Sequence, residues 1–197
     1  MTRHPSLLLT ALLAFAVPAS AQHAAQEAHS PYAGEGAREI AALSEDDLAE
    51  LARGGGWGLA RAAELNGVPG PTHLLELADE LDLNAEQRAA VTVIRDEMRA
   101  EAIAAGERFA AAEAALNRAF TDAVPDAETL ARLVAEAGSA RADLRLVHLS
   151  AHLLTAPLLS SDQVARYAVL RGYADDPCIA APAGHDPAMW RRHNSCD

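Results

Sequence analysis

Leu83-Asn84-Ala85-Glu86-Gln87 and Leu159-Ser160-Ser161-Asp162-Gln163 decide how this chain folds. Each is a leucine, a small polar residue, two further residues and a glutamine, and the copies lie 76 residues apart. Asn84 or Ser160 can accept a hydrogen bond from the backbone of a first helical turn, while Gln87 or Gln163 reaches back to the capping residue's own N–H. Each copy therefore marks a helix start. Between them the chain is alanine-rich, with no glycine from Asn84 to Ala105, and it breaks once, at Thr121-Asp122-Ala123-Val124-Pro125-Asp126. Proline ends one helix there and aspartate caps the next. The reading is all-α: two long helices, Ala85 to about Phe120 and Asp126 to about Ala156, folded into an antiparallel hairpin.

Periodicity assigns their faces. Val91, Ile94, Met98, Ala102, Ala105, Phe109, Ala112, Leu116 and Ala119 recur at steps of three or four and form one stripe on the first helix. At 1.5 Å per residue that helix is roughly 50 Å long, so it must extend past its neighbours or pair with a second subunit. The second helix has two apolar flanks: Leu133, Ala137, Ala140, Leu144, Val147, Ala151 and Leu154 on one, Ala135, Ala142, Leu146, Leu149 and Leu153 on the other. Polar strips separate them, one of which runs Arg141, Arg145, His148, His152. Two flanks imply two neighbours.

Short elements lie to either side. Ser44-Glu45-Asp46-Asp47 is a capped, acidic first turn whose helix stops at Gly54-Gly55-Gly56. Trp57 to Leu65 and Thr72 to Leu81 read as two further short helices, separated by Asn66-Gly67 and Pro69-Gly70-Pro71. Trp57 reads as docked against the hairpin, with ligand stacking as the alternative. Ser160 opens a last helix that ends near Gly172, so the helical domain spans residues 44–173. Residues 174–197 read as an irregular tail, and 22–43 as a flexible segment in which His23 and His29 are ordinary tail residues.

Residues 1–21 have the form of an export signal: Arg3 and His4, an apolar run from Leu7 to Val17, and Ala19-Ser20-Ala21 as the cleavage site. The run is too short to span a bilayer, and the expectation is a periplasmic protein without stable membrane insertion. Loss of the segment would remove Arg3 and no acid, moving the formal charge from −12 to −13. So acidic a chain has no broad basic face for nucleic acid, and attracts cations or basic polypeptides. Aromatic residues are 4% of the chain, which leaves a core built from Ala and Leu. Cys178 and Cys196 sit close together near the end; in an oxidising compartment they read as a disulfide closing the tail. The alternatives are free thiols, or zinc held by Cys178, His185, His193 and Cys196, whose spacing fits no common ligand pattern.

His148 and His152 stand at i and i+4, so both imidazoles project from one helix face and could share a transition metal ion such as Zn, Cu, Ni or Co. Glu97, Glu101, Glu107 or His73 could supply a third ligand. The competing reading, that both histidines are solvated or capping, stays open, because Arg141 and Arg145 share their strip. No Gly-rich phosphate loop, Gly-x-Ser-x-Gly elbow or His-Glu-x-x-His helix occurs, and the many acids fall at exposed helical positions. An enzyme is not expected.

The doubled Leu-x-x-x-Gln pattern, bracketing a helical hairpin behind an export signal, resembles the Spy/CpxP family with its repeated Leu-Thr-x-x-Gln motif, and the related ZraP/CnrX-like periplasmic heavy-metal resistance proteins. Asn84 and Ser160 replace the threonine and keep its capping chemistry. The resemblance covers roughly Leu74 to Tyr173. It implies a small helical protein, usually a homodimer, that acts in envelope stress without catalysis. On that likeness the chain would bind metal ions as buffer or sensor, hold unfolded envelope proteins without ATP, or partner a membrane-bound stress sensor.

Overall fold

The computed structural model describes Ser30, residues 32–194 and Cys196, and the export-signal reading lies outside these residues, as do His23 and His29. The chain divides into two compact units, residues 1–37 and 38–197. The described part of the first holds one 3-10 turn, Glu35–Ala37. The second is all-α: α1 (Glu45–Ala52), α2 (Arg61–Glu64), α3 (Pro71–Glu76), α4 (Ala85–Asp122), α5 (Ala127–Thr155), α6 (Ser161–Leu170) and α7 (Pro187–His193).

The two long helices begin as their caps dictate. Asn84 Oδ1 accepts from Gln87 N at 2.8 Å while Gln87 Oε1 accepts from Asn84 N at 3.0 Å. Ser160 and Gln163 repeat the exchange at the head of α6, at 3.2 and 3.0 Å. The glutamines then meet each other: Gln87 Nε2 donates to Gln163 Oε1 at 2.9 Å, and Gln163 Nε2 to Gln87 Oε1 at 3.2 Å. Their remaining amide protons go to the carbonyls of Leu158 and Leu81. Pro125 breaks the chain between the long helices, and Asp126 caps α5 by accepting from Thr129 N at 2.7 Å. Helices α4 and α5 turn back and pack along their lengths.

Two apolar clusters hold the shorter helices to this pair. In one, Ile40, Leu43, Leu51 and Leu59 close on Ala102, Ala105, Phe109 and Leu144; in the other, Leu74, Ala78, Leu81 and Leu83 close on Val91 and Tyr167. Helix α1 crosses α4 at Gly106, where a Cβ would stand 3.2 Å from the Leu51 carbonyl oxygen. That contact explains a glycine inside a long helix, where it otherwise costs about 1 kcal/mol relative to alanine.

Several expectations need correction. Ile40 and Leu43, assigned to a flexible segment, are buried in the first cluster, because α1 leaves an apolar edge beside Phe109 that the preceding strand of chain covers. The helix expected over Trp57–Leu65 shortens to Arg61–Glu64, since Trp57 has φ +45° and Gly58 +66°. That backbone is held by the Trp57 N–H on Glu50 Oε1 at 2.8 Å, its indole N–H on Asp47 Oδ1 at 2.7 Å, and its ring against Phe109. Trp57 is thus docked on the hairpin as expected. The helix expected to Leu81 ends at Glu76. The tail is not wholly irregular: Asp186 caps α7, and Cys178 and Cys196 form a disulfide across it.

Candidate functional site

The last turns of α5 bury only part of the flank that periodicity assigns: Ala151 is buried, but the flank's last residue is not. Leu154 is exposed, and the buried positions from Leu144 onward are His148, Ala151, His152 and Thr155. Wound at 100° per residue, His148, Thr155 and His152 fall on the histidine side of Leu144, with Ala151 just to its other side. What rotates the buried face is its cover. Alongside α4 the cover is apolar, but at this end it is the turn Gly54–Gly56 and the segment Val68–Gly70, both of which present backbone. Thr155 Oγ1 donates to the Pro69 carbonyl at 2.6 Å, and His152 Nδ1 to the Val68 carbonyl at 2.6 Å. Gly70 is needed there: a Cβ would come within 2.5 Å of His152 Nε2.

Because a carbonyl only accepts, the Val68 bond puts the ring proton of neutral His152 on Nδ1 and leaves Nε2 with a lone pair. His148 is 3% exposed, its Nε2 has no hydrogen-bond partner among the described residues, and its ring hydrogen-bonds the Gly55 backbone. Burial first, and the neighbouring His152 second, hold the His148 pKa below the ordinary histidine value, so the ring is neutral at physiological pH. Both imidazoles line a cavity of about 510 Å³ between the Gly54–Gly56 turn, α2, the start of α3 and the middle of α4.

Glu64 of α2 is the buried acid beside them, at 8% exposure. Its Oε1 accepts from the Tyr167 hydroxyl, from His73 Nδ1 at 3.1 Å and from the Tyr173 hydroxyl at 3.2 Å, with Arg171 Nε 3.6 Å away. Its Oε2 has no hydrogen-bond partner among the described residues and lies 3.9 Å from His152 Nδ1. Burial alone would raise the pKa of Glu64; the hydrogen bonds from His73 and Tyr167 and the charges of His73 and His152 outweigh it and bring the carboxyl down to about 2. Tyr167 moves the other way, raised by burial and by donating to this carboxylate.

His148 and His152 are therefore brought together and buried, against the reading that both are solvated. Of the third ligands considered, His73 lines the same cavity but is committed to Glu64, while Glu97, Glu101 and Glu107 are exposed on α4 and do not line it. Among the described residues no group of three or more His, Cys, Asp or Glu stands ready to hold a metal ion. Cys178 and Cys196 are both used in the disulfide, and His185 packs edge-on against Trp190, which removes the tail zinc alternative. Glu64, Tyr167 and Arg171 carry no sequence signal: Glu64 and Tyr167 are 103 positions apart, and neither stands in a motif. Compared with known proteins, the chain matches no family model, no curated protein and no solved structure.

Proposed function

We propose that this chain is an exported, periplasmic, non-enzymatic stress protein of the Spy/CpxP and heavy-metal-resistance type, and that His148 and His152 bind a transition metal ion, with water completing the coordination. One observation carries the reading: two buried imidazoles, one turn apart, each with a ring hydrogen bond made to backbone, at Val68 and Gly55, and with His148 Nε2 buried without a hydrogen-bond partner among the described residues. A metal-bound histidine commonly donates its second ring nitrogen to a carbonyl, which fixes tautomer and orientation. The site offers two protein ligands, so the affinity expected is modest. Calorimetric titration of the mature protein with Cu²⁺, Ni²⁺, Co²⁺ and Zn²⁺ tests it. Binding tighter than about 1 mM that disappears in His148→Ala/His152→Ala supports the reading; no binding at that level, or binding unchanged in the double variant, rejects it.

A second reading is favoured by the outer flank of α5. Leu146 is 63% and Leu153 69% exposed, with Ala135 and Ala142 also exposed, and residues 38–81 leave this flank uncovered. Such a stripe suits a second copy of the chain in a homodimer, or apolar segments of unfolded envelope proteins held without ATP; a membrane-bound sensor is the third partner in this class. Leu146→Glu/Leu153→Glu should leave the monomer folded and abolish both self-association and suppression of aggregation of a reduced model client. Retention of both activities would reject the flank as the working surface. Among the described residues no helix is long and apolar enough to cross a membrane.

A further inference from the structure

The cavity at His148 is cationic at its mouth, in a chain whose formal charge is −12. All sixteen basic residues other than histidine are arginine, and four of them, Arg53, Arg61, Arg95 and Arg99, line this one cavity. They arrive from three places, the end of α1, the start of α2 and the middle of α4, so helix periodicity along one element does not explain the cluster.

Three of the four charges are not spent on carboxylates of the described residues. Arg95 pairs with its neighbour Asp96 at 2.8 Å, and Arg99 Nε donates to the Arg53 carbonyl at 3.1 Å. Arg53 and Arg61 have no acidic partner among the described residues, and neither does Arg99. Among the described residues Glu64 is the only acid that lines the cavity, and Tyr167, Tyr173, His73 and Arg171 already occupy its Oε1. Glu50, close behind Gly55, is turned to the Trp57 N–H. The walls between the arginines are apolar or bare backbone: Ala60, Pro71, Met98 and the glycines, and a Cβ at Gly56 would meet nothing within 4 Å. The cavity volume lies in the range of small-molecule sites.

We propose that this cavity binds a small organic oxyanion, its anionic groups held by Arg53, Arg61 and Arg99 and its carbon body set against Ala60, Pro71 and Met98. Guanidinium groups grip carboxylate and phosphate oxygens two at a time, and the apolar walls favour an organic anion over an inorganic one. The inference needs the arginines and not a metal, so it stands apart from the histidine reading.

The test is calorimetry on mature protein freed of metal on a chelating resin, with citrate, glycerol phosphate and inorganic phosphate as probes, at ~20 mM and ~200 mM salt. The expected result is one-site binding of citrate or glycerol phosphate that is tighter than that of inorganic phosphate and weakens at the higher salt. It should fall at least about tenfold, the loss of one charge-assisted contact, in Arg53→Ala/Arg61→Ala and stay unchanged in Arg132→Ala, an arginine on α5 far along the hairpin. The citrate and glycerol phosphate arms separate a carboxylate ligand from a phosphate one. No heat from either up to about 10 mM, or unaltered binding in a folded Arg53→Ala/Arg61→Ala variant, would overturn the proposal. The His148→Ala/His152→Ala variant, run alongside, should keep anion binding whether or not it loses metal.

Discussion

Replacing Glu64 by glutamine removes one charge from a buried carboxylate that accepts three side-chain hydrogen bonds while keeping its shape. Three donors converge on Glu64 Oε1, and the Arg171 guanidinium stands 3.6 Å away with its buried Nε otherwise unpaired. The carboxyl's pKa falls from 4.5 to about 2 on folding, and at 1.36 kcal/mol per unit this is worth roughly 3 kcal/mol. The folded pKa lies below the unfolded one, so as pH falls the unfolded chain takes up the proton first. The stabilisation is complete above about pH 4.5 and drains away between there and pH 2; at pH 3 about half remains. Glu64→Gln should accordingly cost about 3 kcal/mol in urea unfolding at pH 7, and a melting-temperature loss of about 6–12 °C for a domain of this size. The penalty relative to the parent should shrink to about half of that at pH 3. A penalty equal at both pH values, or one below about 1 kcal/mol at pH 7, would refute the view that an ionised Glu64 organises the cluster.

Gln87→Ala and Gln163→Ala should each cost about 1–2 kcal/mol, and their double variant less than the sum by at least about 0.5 kcal/mol, because each glutamine loses its partner when the other goes; strict additivity in a double-mutant cycle would show that the cross-pair carries nothing. Gly70→Ala is backbone-neutral at φ −88° yet puts a Cβ 2.5 Å from His152 Nε2, so unfolding measurements should show a cost of about 1–3 kcal/mol, and nitrogen NMR should report loss of the Nδ1–H tautomer at His152. Reducing the Cys178–Cys196 bond should abolish amide protection in the tail, including the Trp190 indole bond to the Pro177 carbonyl, while calorimetry finds the main melting transition moved by less than about 2 °C, since α7 shares no substantial packing with α4 or α5.

What sequence reading recovered is what short-range chemistry determines. The starts of α1, α4 and α6 fall where Ser44, Asn84 and Ser160 put them, because a cap and its third residue settle the matter within one turn. The hairpin break follows from Pro125 in the same way. Burial is a different kind of quantity. Helical periodicity treats a face as constant along its length, but α5 is covered by side chains of α4 near Leu144 and by bare backbone near His152. The buried arc therefore swings onto histidines that periodicity assigned to a polar strip, and Leu154 is left outside. The cavity depends further on where Arg53, Arg61 and Arg99 end up, and those placements come from how three short segments lie on α4.

The doubled motif has a consequence for where function can reside. All four amide protons of Gln87 and Gln163 are used, on each other and on the Leu158 and Leu81 carbonyls, and each Oε1 also takes its own cap N–H. An amide with every donor committed has nothing left to offer a ligand. The two motifs thus explain each other: either glutamine alone would cap one helix, but only the pair closes the base of the hairpin by joining the head of α4 to the head of α6. They account for the architecture and are spent in doing so. Chemistry directed outward must come from groups the architecture leaves unsatisfied, and around the cavity those are His148 Nε2, Glu64 Oε2 and the guanidinium groups of Arg53 and Arg61.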